Sequence, residues 1–167
     1  GIKVAQMGGS YAEMREAWLE ADHLGFDTGW LHDHLLNQND ITLPEDEGWT
    51  ILTALLTQSR RIRGGLMVSA NTFRHPAVLA KIATTVDIVS GGRLELGLGA
   101  GWFEEEHRQY GLVLPPVGER MRLAFHWPIG SAPWKNAYGA RSLITATDAC
   151  RPPVTRMGSF VLANGER

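Results

Sequence analysis

A chain of 167 residues with a formal charge of −2 and 44% hydrophobic residues has the composition of one ordinary globular domain, long enough to bury a core. That balance gives no basic excess for nucleic acid, no acidic run for a solvating tail, and no apolar stretch suited to a membrane. The single cysteine, Cys150, excludes an internal disulfide and fits a reducing, cytoplasmic compartment; no signal peptide is read at the start, and Gly1 in place of an initiator methionine reads as a fragment or a processed end.

Ile2 to Met7 alternates as a strand, and Gly8-Gly9 turns the chain. Ser10 and Glu13 form a capping-box pattern, and Met14, Ala17, Trp18, Ala21 and Leu24 recur at helical spacing until Gly25. Phe26 to Leu31 is the second strand, His32 to Glu47 a loop, and Trp49, Leu52, Leu55 and Leu56 mark a second amphipathic helix. Arg63 to Ser69 is the third strand. Pro76 suits the first turn of a third helix, whose buried stripe is Leu79, Ile82, Ala83, Val86 and Val89. Ser90-Gly91-Gly92 turns the chain into a fourth strand, Arg93 to Leu98, and Gly97, Gly99 and Gly101 leave its end bare. A short helix is predicted over Phe103 to Tyr110, and another starts at Glu119 and runs to Trp127.

Strands therefore recur about every 30 residues, the size of one strand–crossover–strand unit. Such a string builds a parallel sheet that either closes into a barrel or stays open and doubly wound, with ligand chemistry at the C-terminal strand ends. Those ends are Gln6-Met7, His32-Asp33-His34, Ser69-Ala70-Asn71 and Gly99-Ala100-Gly101. Residues 1–125 carry this pattern. Residues 126–167 are an irregular tail, broken by Pro128, Pro133 and Pro152-Pro153, with a candidate fifth strand at Ser159 to Ala163. A complete eight-unit barrel takes about 250 residues, so this chain supplies four units and that fifth strand.

His32 and His34 stand two apart at a strand end, where they face one way and can share a pocket; an imidazole there can exchange a proton with a substrate. The plainer reading is two loop histidines with Asp33 capping a turn. A His-x-His pair can also hold zinc, but His75, His107 and His126 are not placed to complete the site, and no metal is expected. Gly97-x-Gly99-x-Gly101 lacks the dinucleotide fingerprint, since Trp102 stands where its third glycine belongs. The bare backbone admits a flat or phosphorylated ligand, or serves a tight turn only. Glu104 and Glu106 read as first-turn carboxylates that suit a helix dipole. Arg74 reads as a solvated loop arginine in preference to an anion ligand, and Met67 and Trp18 as core.

Taken together, Gly25-Phe26-Asp27-x-x-Trp30-x-x-Asp33-His34, Glu47-x-Trp49-x-x-Leu52, Phe73-Arg74-His75-Pro76-Ala77 and Ser90-Gly91-Gly92-Arg93-Leu94-Glu95-Leu96-Gly97-Leu98-Gly99-Ala100-Gly101-Trp102 resemble the luciferase-like flavin or deazaflavin oxidoreductases (the luciferase-like monooxygenase superfamily). The resemblance covers residues 1–125 and is nearest to the subgroup that uses coenzyme F420, a deazaflavin. It implies the N-terminal half of a TIM-type (β/α)8 barrel with the cofactor at the strands' C-terminal mouth. It further implies Asp33 and His34 as the catalytic pair that assists proton transfer. Met67, Val68, Ser69, Ala70 and Asn71 would buttress the ring, Gly99, Ala100 and Gly101 would lie beside it, and Glu105 near its polar tail.

The likeness stops at Ala124-Phe125-His126-Trp127-Pro128, where Pro128 breaks the helix the family continues, and returns in fragments at Thr145 to Ala149 and Ser159 to Gly165, so the C-terminal part reads as truncated or disrupted. Three functions follow. The first is hydride transfer between F420 and a small organic substrate, with His34 exchanging the proton. The second is an FMN-dependent monooxygenase on the same barrel. The third is a non-catalytic half-barrel whose open edges admit a homodimer.

Overall fold

The computed structural model describes residues 1–125 and 162–163. Five strands, β1 (Ile2–Lys3), β2 (Thr28–Leu31), β3 (Arg63–Ala70), β4 (Leu94–Gly99) and β5 (Leu162–Ala163), lie side by side in chain order, and every neighbouring pair is parallel. Helices α1 (Tyr11–His23), α2 (Gly48–Gln58) and α3 (Pro76–Val89) are the crossovers, and α4 (Glu104–Gln109) and α5 (Val117–Phe125) follow β4. Sequential parallel order with a helix between strands is the layout of the first half of a TIM-type barrel. Among the described residues no helix is long and apolar enough to cross a membrane.

The helix starts follow from local chemistry. Ser10 Oγ accepts the Glu13 N–H at 3.3 Å and the Glu13 carboxylate accepts the Ser10 N–H at 2.8 Å, the reciprocal cap expected at α1. At α2 the Glu47 carboxylate accepts the N–H groups of Trp49 and Thr50 at 3.2 and 2.7 Å. Pro76 opens α3 with its missing N–H out of the ladder, and the His75 ring accepts the Ala77 N–H at 3.2 Å.

One face of the sheet buries Leu31, Leu66, Leu94 and Leu98 against Trp18 of α1, Leu52, Leu55 and Leu56 of α2, and Leu79, Ala83 and Val86 of α3. Each such leucine contributes about 1.5–3 kcal/mol. Trp18 is core as the sequence suggests, and fully buried. It lies over Gly29 of β2 and Gly64 of β3, where an added Cβ would come within 2.6 and 2.7 Å of the indole.

Below the core, the N-terminal strand ends are tied by charge. Arg93 donates to the carbonyls of Leu56 (2.5 Å), Ile62 (3.0 Å) and Ser90 (2.7 Å) and to Ser59 Oγ (3.1 Å). The Asp22 carboxylate accepts the N–H groups of Arg60, Arg61 and Ile62 at 2.9, 2.9 and 2.7 Å.

The strand boundaries differ from expectation chiefly at β1, which pairs only at Ile2 and Lys3 although alternation runs to Met7. β2 ends at Leu31, so beyond the Val4 N–H bond to the Trp30 carbonyl (3.0 Å) the first strand has no ladder partner among the described residues. Gln6 turns instead to accept the His32 N–H at 2.6 Å. β5 falls inside the candidate segment Ser159 to Ala163; the rest of the irregular tail, including Trp127 and Pro128, lies outside the described residues. Between β3 and β4 the register shifts: Leu66 pairs with Leu96, but Ser69 pairs with Leu98, so β3 carries one extra residue, and the Met67–Val68 peptide is cis.

Candidate active site

The C-terminal ends of β2, β3 and β4 converge on a cavity of about 190 Å³. From β2 come His32, Asp33 and His34; from β3 and its loop come Met67, Val68, Ala70 and Phe73. Gly99, Ala100 and Gly101 close the far side, with the exposed Trp102 at the rim and the buried α4 residue Glu106 in the wall. The extra residue in β3 is what lets Met67 and Val68, adjacent in sequence, both reach this wall.

The polar residues form three side-chain pairs. His34 Nδ1 lies 3.1 and 3.2 Å from the two Glu106 oxygens. His32 Nε2 lies 2.7 Å from Glu45. Asp33 receives a two-pronged ion pair from Arg74, at 2.6 and 2.9 Å, and the Ala70 N–H at 3.1 Å. Arg74 also pairs with Glu47, the α2 cap. The His32 and His34 rings meet edge to face at 5.4 Å, as their spacing anticipates, and Trp102 stands edge-on to His34 at 5.8 Å. Among the described residues no cluster of three His, Cys, Asp or Glu side chains could hold a metal ion.

Burial pushes the Asp33 carboxyl above the ordinary carboxylate range, against the pull of Arg74 and the Ala70 N–H. Burial also pulls the Arg74 guanidinium down, but Asp33 and Glu47 together hold it above its ordinary value. The two directions fit one geometry. A single buried carboxylate loses more by leaving water than one guanidinium returns, whereas a guanidinium between two carboxylates gains more than it loses.

Of the residues implied by the family resemblance, Asp33, His34, Met67, Val68, Ala70, Gly99, Ala100 and Gly101 line the cavity. Ser69 is buried behind it, its hydroxyl without a partner among the described residues. Asn71 donates from Nδ2 to the Arg120 carbonyl at 2.8 Å, and the Arg120 guanidinium holds the Gly101 carbonyl, so α5 braces the glycine loop. Glu105 lies outside the cavity wall, bonded to Arg108 and Gln109 at 2.9 and 2.6 Å, and these partners hold its carboxyl down at about 2.

Three expectations need correction. Arg74 is not a solvated loop arginine, because the buried Asp33 draws it inward. Met67 is 39% exposed and faces the cavity, since the register shift turns it out of the core. Glu106 is more than a first-turn carboxylate for the dipole: it is 1% exposed and turned toward β2 by the phase of α4. The stripe Phe103, Glu106, His107 and Tyr110 carries the signal that finds it, at the i, i+3, i+4, i+7 spacing of a packed helix face. Gly99, too, is required inside the fold, because a Cβ there would run into Val68.

The family model for luciferase-like monooxygenases matches residues 2–124. An F420-dependent glucose-6-phosphate dehydrogenase of Amycolatopsis mediterranei is 31% identical over 111 residues, covering 65% of this chain and 33% of the relative. In three dimensions the chain is similar to the oxygenating constituent of 3,6-diketocamphane monooxygenase from Pseudomonas putida in complex with FMN, with a TM-score of 0.61 at 20% identity, over 73% of this chain and 36% of that one. It is also similar to an F420-dependent secondary alcohol dehydrogenase in complex with an F420–acetone adduct, with a TM-score of 0.59 at 21% identity, over 75% and 42%. At these identities the structures speak for the shared α/β fold. The chain spans about a third of the length of the curated relative.

Proposed function

The chain belongs to the luciferase-like monooxygenases, and on that premise we propose that it serves hydride transfer between coenzyme F420 and a small organic substrate, with His34 exchanging the accompanying proton. The observation that carries the reading is where His34 sits: in a cavity walled by the register-shifted end of β3 on one side and the glycine loop after β4 on the other. Similarity to an F420-dependent dehydrogenase supports the choice of cofactor.

The residues present fit a flat ring system. Met67, Val68, Ala70, Phe73 and Trp102 give it apolar and aromatic surface, and Gly101, at φ +72°, turns the chain closely past it. The cavity, about 190 Å³, is smaller than the roughly 300–1,000 Å³ of a ligand pocket, so these residues would hold part of the ring and the polar tail would lie beyond them. When bound, the deazaflavin supplies the hydride chemistry. His34 would take up the proton that the small organic substrate releases on oxidation, or return it on reduction. Asp33 works as a positioning residue, because both its oxygens are engaged in joining the ends of β2 and β3.

Titration of the protein with F420, followed by the cofactor's fluorescence, tests the reading. Saturable binding that His34→Ala weakens about tenfold supports it, the size expected for one hydrogen bond to a cofactor. Binding of FMN in preference to F420 favours the monooxygenase alternative. Binding of neither leaves the non-catalytic half-barrel, and gel filtration then asks whether two copies close on one another.

A further inference from the structure

The geometry points to Glu106 as the positioning residue that sets the tautomer of His34, holding the proton on Nδ1 and leaving Nε2 as the nitrogen with the free lone pair. Glu106 comes from α4, 72 residues further along the chain, and is 1% exposed. Its Oε2 accepts the Leu35 N–H at 3.0 Å, which fixes the carboxylate next to the ring. An ionised carboxylate can only accept, so the ring nitrogen 3.1 and 3.2 Å from its oxygens must be the donor. A neutral imidazole has one donor nitrogen and one acceptor, which assigns acceptor character to Nε2.

The clamp has a second point. Tyr110, one turn beyond Glu106, donates its hydroxyl to the Leu35 carbonyl at 3.1 Å, so both polar groups of the residue after His34 are tied to α4. α4 is itself anchored. His107 donates from Nδ1 to the Phe103 carbonyl at 2.7 Å and accepts at Nε2 from the Thr72 hydroxyl at 2.8 Å. The other charged groups nearby are engaged elsewhere, His32 with Glu45 and Asp33 with Arg74, and leave Glu106 to His34. A fixed carboxylate behind an imidazole does two things: it orients the ring, and it favours the protonated ring once a proton arrives.

The purpose of this arrangement rests on the proton role proposed for His34, but the tautomer is a property of the cofactor-free protein and is measured there. Long-range proton–nitrogen correlation spectra of the ring-labelled full chain, recorded on the alkaline side of the ring's own titration, read it directly. The expected result is a protonated Nδ1 and an unprotonated Nε2 for His34. Glu106→Leu removes both oxygens that face Nδ1, so in that variant the proton should no longer be held on Nδ1. A wild-type ring with the proton on Nε2 overturns the inference without reference to any variant, as does a folded Glu106→Leu whose ring keeps the proton on Nδ1 as in the wild type. Normal F420 binding with the proton on Nε2 removes this inference only. Absent F420 binding with the proton on Nδ1 removes the proposed function only.

Discussion

At the N-terminal ends of the strands, beside the ion pair Arg63–Glu95, charged side chains chiefly bind backbone: Arg93 gathers carbonyls from α2, from the turn into β3 and from the end of α3, and Asp22 gathers three N–H groups entering β3. At the C-terminal ends, charged and titratable side chains chiefly bind one another, and the pairs Asp33–Arg74 and His34–Glu106 stand around a cavity. The difference teaches what each end is for. Charge that closes on backbone fixes chain direction and leaves nothing to react. Charge that closes on another side chain fixes an orientation and keeps chemical groups facing a ligand.

The contrast can be broken most severely at Asp33. Asp33→Ala leaves the half-buried Arg74 with Glu47 and the Ala70 N–H with no acceptor, and should cost about 3 kcal/mol in urea unfolding while also disordering the cavity wall. Arg93→Met, at the opposite end, takes the guanidinium donors from the Leu56, Ser59 and Ile62 carbonyls and leaves Leu56 with the Ser59 hydroxyl, for about 2–3 kcal/mol, yet should leave F420 affinity unchanged. A matching loss of affinity would erase the division between the two ends.

Asp22→Asn should cost about 1 kcal/mol, the worth of a cap. Burial lifts the Asp22 carboxyl, but three N–H donors and Arg93 bring it below its ordinary value of 3.8. A depressed folded value gives stability that is complete above the unfolded value and is lost as pH falls through the folded one. The wild type should therefore weaken below about pH 4, and unfolding curves of Asp22→Asn should show a shallower acid slope. His34→Asn is the mildest change to stability, within about 0.5 kcal/mol, because the asparagine amide stands where Nδ1 does and still donates to Glu106. Its effect should appear in cofactor titration instead, which separates the two ends by measurement.

Much of this was legible in the sequence because it is periodic. The recurrence of strand and stripe announces the parallel sheet, and the capping box at Ser10 and the proline at Pro76 mark helix starts that local chemistry decides. The cavity-lining segments at His34 and Gly99 to Gly101 were visible as chemistry at strand ends. Their partners were not. Whether Arg74 meets water or Asp33 depends on two loops meeting across 41 residues, and no local pattern reports that. Glu104, Glu105 and Glu106 are identical side chains in a row; the spacing of Phe103, His107 and Tyr110 marks Glu106 as the one that turns inward, but not that His34 meets it there. The shortness of β1 was hidden for a related reason: alternation measures which faces are apolar, while strand length depends on where the neighbour stops.

The unequal pairing of β3 with β4 carries a consequence for how this region tolerates change. Up to Leu66 the even-numbered residues of β3 turn toward the helices; after the step Ser69 is fully buried and Ala70 looks into the mouth. The strand thus switches phase midway. Deleting one residue between Leu66 and Ser69 would restore a uniform ladder with Ser69 still opposite Leu98 and Ala70 still opposite Gly99, so the sheet would be spared and the mouth would lose one of the two side chains, Met67 or Val68, that the extra residue brings to it.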